Sequence, residues 1–133
     1  MESLTIGKIA RLAGIGVETV RFYEKKGLIN KPPRRGSGYR LYPEETVHQL
    51  RFIRRAKEIG FTLKEIKELL ALKLDSETTC ADIRRRAEMK IEDIEAKIRT
   101  LEKMSETLKK LTLACSGQGP ASECPILEAI EDE

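Results

Sequence analysis

At 133 residues, with 35% charged side chains, no Trp and a net charge of +3, the chain has the size of one small helical domain plus an appendage. Its three cysteines are an odd number, and its first residues are polar. These features argue against an exported disulfide framework and predict reduced thiols in a cytoplasmic protein. No apolar run approaches the ~20 residues of a membrane span, so no membrane partner is expected. The charge is uneven: residues 1–75 hold 16 Lys or Arg against 9 Asp or Glu, a net of +7, whereas residues 76–133 hold 9 against 13, a net of −4. The basic half is the candidate polyanion binder.

In chain order, Thr5 caps a helix with Ile6, Ile9, Ala10 and Ala13 on one face. Gly14-Ile15-Gly16 is a tight turn, and a second helix follows with Val17, Val20 and Phe22 as core. This is helix-turn-helix spacing. Gly27 ends the second helix, whose other side chains include Glu18, Thr19, Arg21, Tyr23 and Lys25, a set suited to a major groove. Lys31-Pro32-Pro33-Arg34-Arg35-Gly36-Ser37-Gly38, then Tyr39-Arg40-Leu41-Tyr42, reads as a basic hairpin, or wing. Pro43 opens a helix through Ile59, closed by Gly60. Thr62 and Glu65 form a capping box for a helix through Leu72. Arg51, Arg54, Arg55 and Lys57 are candidate phosphate contacts, and His48 is a surface or packing residue rather than a ligand.

Thr79 and Asp82 form another capping box, which puts Cys80 in the first turn of a long helix, where the helix dipole favours a thiolate. Ile91, Ile94, Ile98, Leu101 and Leu108 alternate at three and four residues, and Ala87, Ile94, Leu101 and Leu108 share a heptad position with Cys80 and Cys115. The two cysteines are 35 residues apart, five heptads, so on one continuous helix they lie about 50 Å from each other and cannot share a ligand. If two such helices pair antiparallel, Cys80 of one chain meets Cys115 of the other at both ends of a homodimer. Ser116 to Glu123 is a breaker-rich loop with Gly117 as helix stop, which can return Cys124 to Cys115. A short helix from Ile126 to Ile130 follows. Taken singly, each cysteine also fits as a small buried hydrophobe.

The expected organisation is mainly α: a winged helix-turn-helix DNA-binding domain with two following helices over 1–75, a coiled-coil dimerisation helix over 79–116, and a metal-binding loop with a short C-terminal helix over 117–133. Three thiolates without nitrogen or carboxylate partners suit a soft cation such as Hg(II), whereas structural zinc usually takes four ligands. Lead and cadmium are alternatives, as is a redox sensor in which Cys115 and Cys124 form a disulfide. No Cys-x-x-Cys, nucleotide fingerprint or nucleophile-base arrangement points to an enzyme.

Thr5-Ile6-Gly7 with Ala10, Gly14, Val17 to Glu24, Gly27-Leu28, Tyr39 to Tyr42 and Gly60-Phe61 strongly resembles the MerR family of transcription regulators, densely over the first 75 residues. Ala114-Cys115 and Cys124-Pro125, flanking the loop, are similar to the mercury-responsive branch. The resemblance implies a homodimer joined by an antiparallel coiled coil, with Thr19, Arg21 and Tyr23 contacting double-stranded promoter DNA, Tyr39, Arg40 and Tyr42 serving the wing, and Arg54 on a phosphate. It implies Cys80, Cys115 and Cys124 as ligands of an Hg(II) effector. It further implies a repressor that, on binding metal, distorts an over-long promoter spacer so that RNA polymerase can engage it, as regulators of mercuric resistance do.

Overall fold

The computed structural model describes residues 3–33 and 40–132. They divide into two compact units, residues 1–86 and 87–133.

In the first unit Thr5 Oγ1 accepts the Lys8 N–H at 3.3 Å and starts α1, Ile6–Ala13. Ile9, Ala10 and Ala13 are buried, the i, i+1, i+4 set of one helical face. Gly14 ends α1 in the left-handed region at φ 73°, and the Ile15 N–H reaches back to the Ala10 carbonyl at 3.0 Å, as a Schellman stop requires. From Gly16 the chain enters α2, Val17–Lys25, which presents Val20 and Tyr23 to the core. The expectation that Phe22 is core is therefore corrected: Phe22 is 43% exposed and its neighbour Tyr23 only 4%. The reason is helical phase. With Val20 fixed inward, the i+3 residue follows it inward, and residue 22 lies some 200° away from Val20.

After the second stop at Gly27, φ 78°, Leu28 and Ile29 join the core. The wing residues Arg34, Arg35, Gly36, Ser37, Gly38 and Tyr39 lie outside the described residues. Beyond them β2, Tyr42–Pro43, pairs antiparallel with β1, Ser3–Leu4, in the register Leu4 to Tyr42. Pro43 thus stands in a strand and does not open the next helix. That helix, α3, runs Glu45–Glu58. With no N–H to donate, a proline is tolerated in such an outer strand. Val47, Leu50, Ile53 and Ala56 of α3 form the floor on which α1 and α4 pack. The Thr62 and Glu65 capping box is present in both directions, at 2.8 and 3.2 Å, and starts α4, Leu63–Leu74, which extends two residues past the expected Leu72 and inserts Ile66 into the core.

The Thr79 and Asp82 box is formed too: the Thr79 N–H donates to the Asp82 carboxylate at 2.9 Å and Asp82 N–H to Thr79 Oγ1 at 3.4 Å. It opens α5, Cys80–Ala114, whose Arg86 pairs with Glu68 of α4. In the second unit the only buried residue among those described is Lys90, its ammonium 3.7 Å from the Asp93 carboxylate. Ile91, Ile94, Ile98, Leu101, Met104 and Leu108 are between 38% and 61% exposed. A single-turn 3-10 helix, Ala121–Glu123, and α6, Pro125–Glu131, complete the chain. Among the described residues no helix is long and apolar enough to cross a membrane.

Candidate metal centre and nucleic-acid interface

The loop after α5 is built to bring two sulfurs together. Gly117 at φ 81° and Gly119 at φ 97° reverse the chain, since the left-handed region costs other residues about 1–2 kcal/mol. The Gly117 N–H points back at Cys115 Sγ, 3.4 Å away, and Pro120 starts the 3-10 turn that delivers Cys124 to the N-cap of α6. There the Cys124 sulfur lies beside the N–H groups of Leu127 and Ile126 in the first turn and near the Cys115 thiol. These polar neighbours, the Leu127 N–H foremost, hold the Cys124 thiol below its ordinary pKa, against some desolvation and the nearby Glu128 carboxylate. The two thiols are half-buried, and their soft donor chemistry fits a thiophilic cation.

Cys80 opens α5 and is exposed, beside the Thr79 and Asp82 cap. Hydrogen bonds from Thr79, backbone first and hydroxyl second, keep Asp82 below the usual carboxylate range. Among the described residues of one chain, no three His, Cys, Asp or Glu side chains lie close enough together to hold a metal ion.

The residues expected at DNA fall into two groups. Arg21 is exposed on α2 and Thr19 half-buried beside it. Arg40 is half-buried, and its Nε is shielded from solvent with no hydrogen-bond partner among the described residues. Tyr23 and Tyr42 are placed differently from the expectation: they are 4% and 2% exposed, in the core rather than on a surface that DNA could cover. The Tyr42 hydroxyl donates to Glu24 Oε2 at 3.0 Å. Burial and that carboxylate push its pKa up to about 12, with Arg40 and Arg21 close enough to oppose the rise. The physical reason is the pairing of Tyr42 with Leu4, which turns the ring inward across the small sheet.

The arginines of α3 carry a role that sequence reasoning missed. Arg51 donates through Nε and Nη2 to the Leu12 carbonyl at 3.3 and 3.1 Å, and Arg54 Nη1 donates to the Ala13 carbonyl at 3.2 Å. Both cations therefore sit at the C-terminus of α1, where unpaired carbonyls concentrate negative charge, and they fasten the helix-turn-helix to α3. Arg54 also pairs with Glu58 at 3.3 Å and stays half exposed. The i, i+3 spacing of the two arginines was visible, but their partners lie some 40 residues away in the chain.

Fold and site together define a helix-turn-helix regulator carrying a cysteine thiol site. The chain belongs to the MerR family: residues 4–73 match the model described as "MerR HTH family regulatory protein", and residues 47–111 that described as "MerR, DNA binding". Over 94% of its length it is 42% identical to a mercuric resistance operon regulatory protein of Bacillus cereus, 95% of which is covered. A crystal structure of the transcription regulator PbrR691 from Ralstonia metallidurans CH34 in complex with lead(II) has a TM-score of 0.85 at 33% identity, covering 96% of this chain and 98% of that one. One of the dual-function regulator MerR from Bacillus megaterium MB1 with mercury(II) has a TM-score of 0.72 at 37% identity, covering 97% and 100%. The protein is thus a metal-responsive transcription regulator of this family, and not an enzyme.

Proposed function

We propose that this chain is a cytoplasmic, mercury(II)-responsive regulator of a mercury-resistance promoter, working as a homodimer. The observation that carries this reading is the loop that returns Cys124, at the N-cap of α6, to the side of Cys115, where the first-turn N–H groups of Leu127 and Ile126 lower the Cys124 thiol pKa. Two such sulfurs suit Hg(II), which accepts two or three thiolates, and Cys80 of the other subunit supplies the third. The exposed seam from Ile91 to Leu108 is the surface that pairs antiparallel with a second copy. At 42% identity, the mercuric resistance regulator of Bacillus cereus supports the same assignment.

When bound, the metal ties Cys80 of one subunit to Cys115 and Cys124 of the other. That bond shifts the balance between two settings of the DNA-binding domains, in proportion to the metal's differential affinity for them. Thr19, Arg21 and Arg40 meet promoter DNA, with Tyr39 at the wing. Arg54, already anchored on Ala13, adds a phosphate contact, while Tyr23 and Tyr42 support the surface from beneath. Without metal the dimer represses. With it, the dimer bends and untwists the spacer so that RNA polymerase engages the promoter, a deformation of a few kcal/mol.

An anaerobic titration of the reduced protein with Hg(II), Cd(II), Pb(II) and Zn(II), read by sulfur-to-metal charge-transfer absorbance, tests this. Mercury should bind ahead of excess competing thiol, and Cys80→Ser, Cys115→Ser and Cys124→Ser should each alter the spectrum. Indifference to Cys80→Ser would sink the shared site. The likeness to a lead(II) complex favours a second reading, in which lead or cadmium is the signal, and equal preference for those ions would establish it. Peroxide activation without metal would instead favour a Cys115 to Cys124 disulfide switch.

A further inference from the structure

We infer that Phe22 reads thymine in the major groove, a role that rests on the DNA-binding reading above. On α2 the buried side is Val20 and Tyr23, so the face turned to solvent carries Glu18, Arg21, Phe22, Lys25 and Lys26. Phe22 is the one large apolar side chain on that face and is 43% exposed. Its ring has two close neighbours. It packs tilted against Tyr23, with centroids 6.0 Å apart at 54°, and the Lys26 ammonium sits 5.6 Å from its centroid. A ring held at the centre of a cationic helical face is carried toward DNA by its neighbours but can offer neither a donor nor an acceptor to a phosphate. In the major groove the apolar group that base edges present is the thymine 5-methyl, so that is the partner its chemistry fits. Arg21 and Lys25 supply attraction to the duplex, and Phe22 supplies preference among sequences.

The test is a cycle between protein and DNA. Duplexes preferred by the wild-type full-length chain are selected from a randomised pool, then remade with uracil replacing each thymine in turn, which removes only the methyl. Binding is measured for wild type, Phe22→Ala and Phe22→Leu, after circular dichroism confirms that each variant is folded. Wild type should lose about fourfold in affinity at one or two uracil positions, the worth of one buried methyl. Phe22→Ala should lose about as much on the thymine duplex and become indifferent to uracil there, while Phe22→Leu should keep part of the preference. An undiminished uracil penalty in Phe22→Ala would overturn the inference, and so would an equal loss on every duplex including unselected ones, which marks a backbone contact. A pool that yields no preferred sequence with wild type would overturn sequence-specific DNA binding itself and Phe22 with it, a result distinct from the other two.

Discussion

In the first unit Ile9, Val20, Leu50, Ile53 and Ile66 have lost all exposure to solvent, whereas in the second Ile94, Ile98, Leu101 and Leu108 stand 38–61% exposed along one stripe of α5. Both units are rich in aliphatic side chains at helical spacing, so composition does not separate them. The difference is whether the chain itself covers its apolar face. The DNA-binding unit brings four helices and a two-stranded sheet around one core and satisfies its helix ends with caps and arginines. In the second unit the chain leaves the apolar stripe of α5 uncovered; in the proposed homodimer a second copy covers it, and the proposed metal site shared between subunits acts on that association.

The strongest way to break the comparison is to put a charge on the stripe. In a symmetric dimer Leu101→Glu removes two buried leucines at once, a loss of about 3–6 kcal/mol per dimer at 1.5–3 kcal/mol each. Sedimentation should show a monomer at concentrations where the wild type is dimeric, with the first unit still protected in hydrogen exchange. If the variant stays a dimer, the stripe is not the interface. The reverse experiment is Leu50→Ala, in the side chain that is fully buried on α3. It should cost about 2–5 kcal/mol in thermal or denaturant unfolding of the first unit while the association state is unchanged in dilute native buffer. Loss of the dimer together with the fold would show that the two units do not separate in the way their burial suggests.

A finer cut falls inside the first unit, at the turn between α1 and α2. Gly14 has φ 73°, and a Cβ there would run into the Arg54 guanidinium that holds the Ala13 carbonyl. Gly14→Ala should therefore destabilise by about 1–2 kcal/mol from backbone strain alone. Gly14→Asn should lose less, because asparagine tolerates the left-handed region. Equal effects from Ala and Asn would shift the cause from backbone strain to the displaced Arg54, and removal of that side chain in Arg54→Ala would then relieve part of the Gly14→Ala loss.

What the sequence made legible follows the same line between local and distant causes. Thr5, the Thr62 with Glu65 pair, the Thr79 with Asp82 pair and the stops at Gly14 and Gly27 act within a few residues, and all stand where expected. So does the return of Cys124 to Cys115, because an eight-residue loop with two left-handed glycines leaves the chain few other paths. Placements set by partners far along the chain were not readable: Tyr42 is turned inward by Leu4, Arg51 is drawn to Leu12, and Pro43 is claimed by a strand rather than by α3. The exchange of Phe22 for Tyr23 is a phase error of one residue on a helix, which periodicity over nine residues cannot exclude when both neighbours are aromatic.

The smallest expected effect concerns the thiol chemistry of the second unit. Cys124 is held below its ordinary pKa first by the Leu127 N–H, then by that of Ile126 and by the Cys115 thiol, with Glu128 pulling the other way. Because the folded-state pKa is depressed, the thiolate contributes to stability in full above the ordinary thiol pKa, and the contribution is lost as pH falls through the lowered folded value. Between those two values the folded chain carries a thiolate where the unfolded chain carries a thiol. Thiolate absorbance should therefore rise at lower pH in native buffer than in denaturant for a Cys80→Ser, Cys115→Ala variant that isolates Cys124, and by a smaller margin than when Cys115 is kept. Glu128→Gln should move the native curve lower still. Mercury uptake by this loop should release fewer protons than uptake by ordinary thiols at a pH between the lowered folded value and the ordinary thiol pKa. Coincident native and denatured titrations would show that the N-terminus of α6 only positions the sulfur and does not activate it, and the contrast between the units would then lie in packing alone.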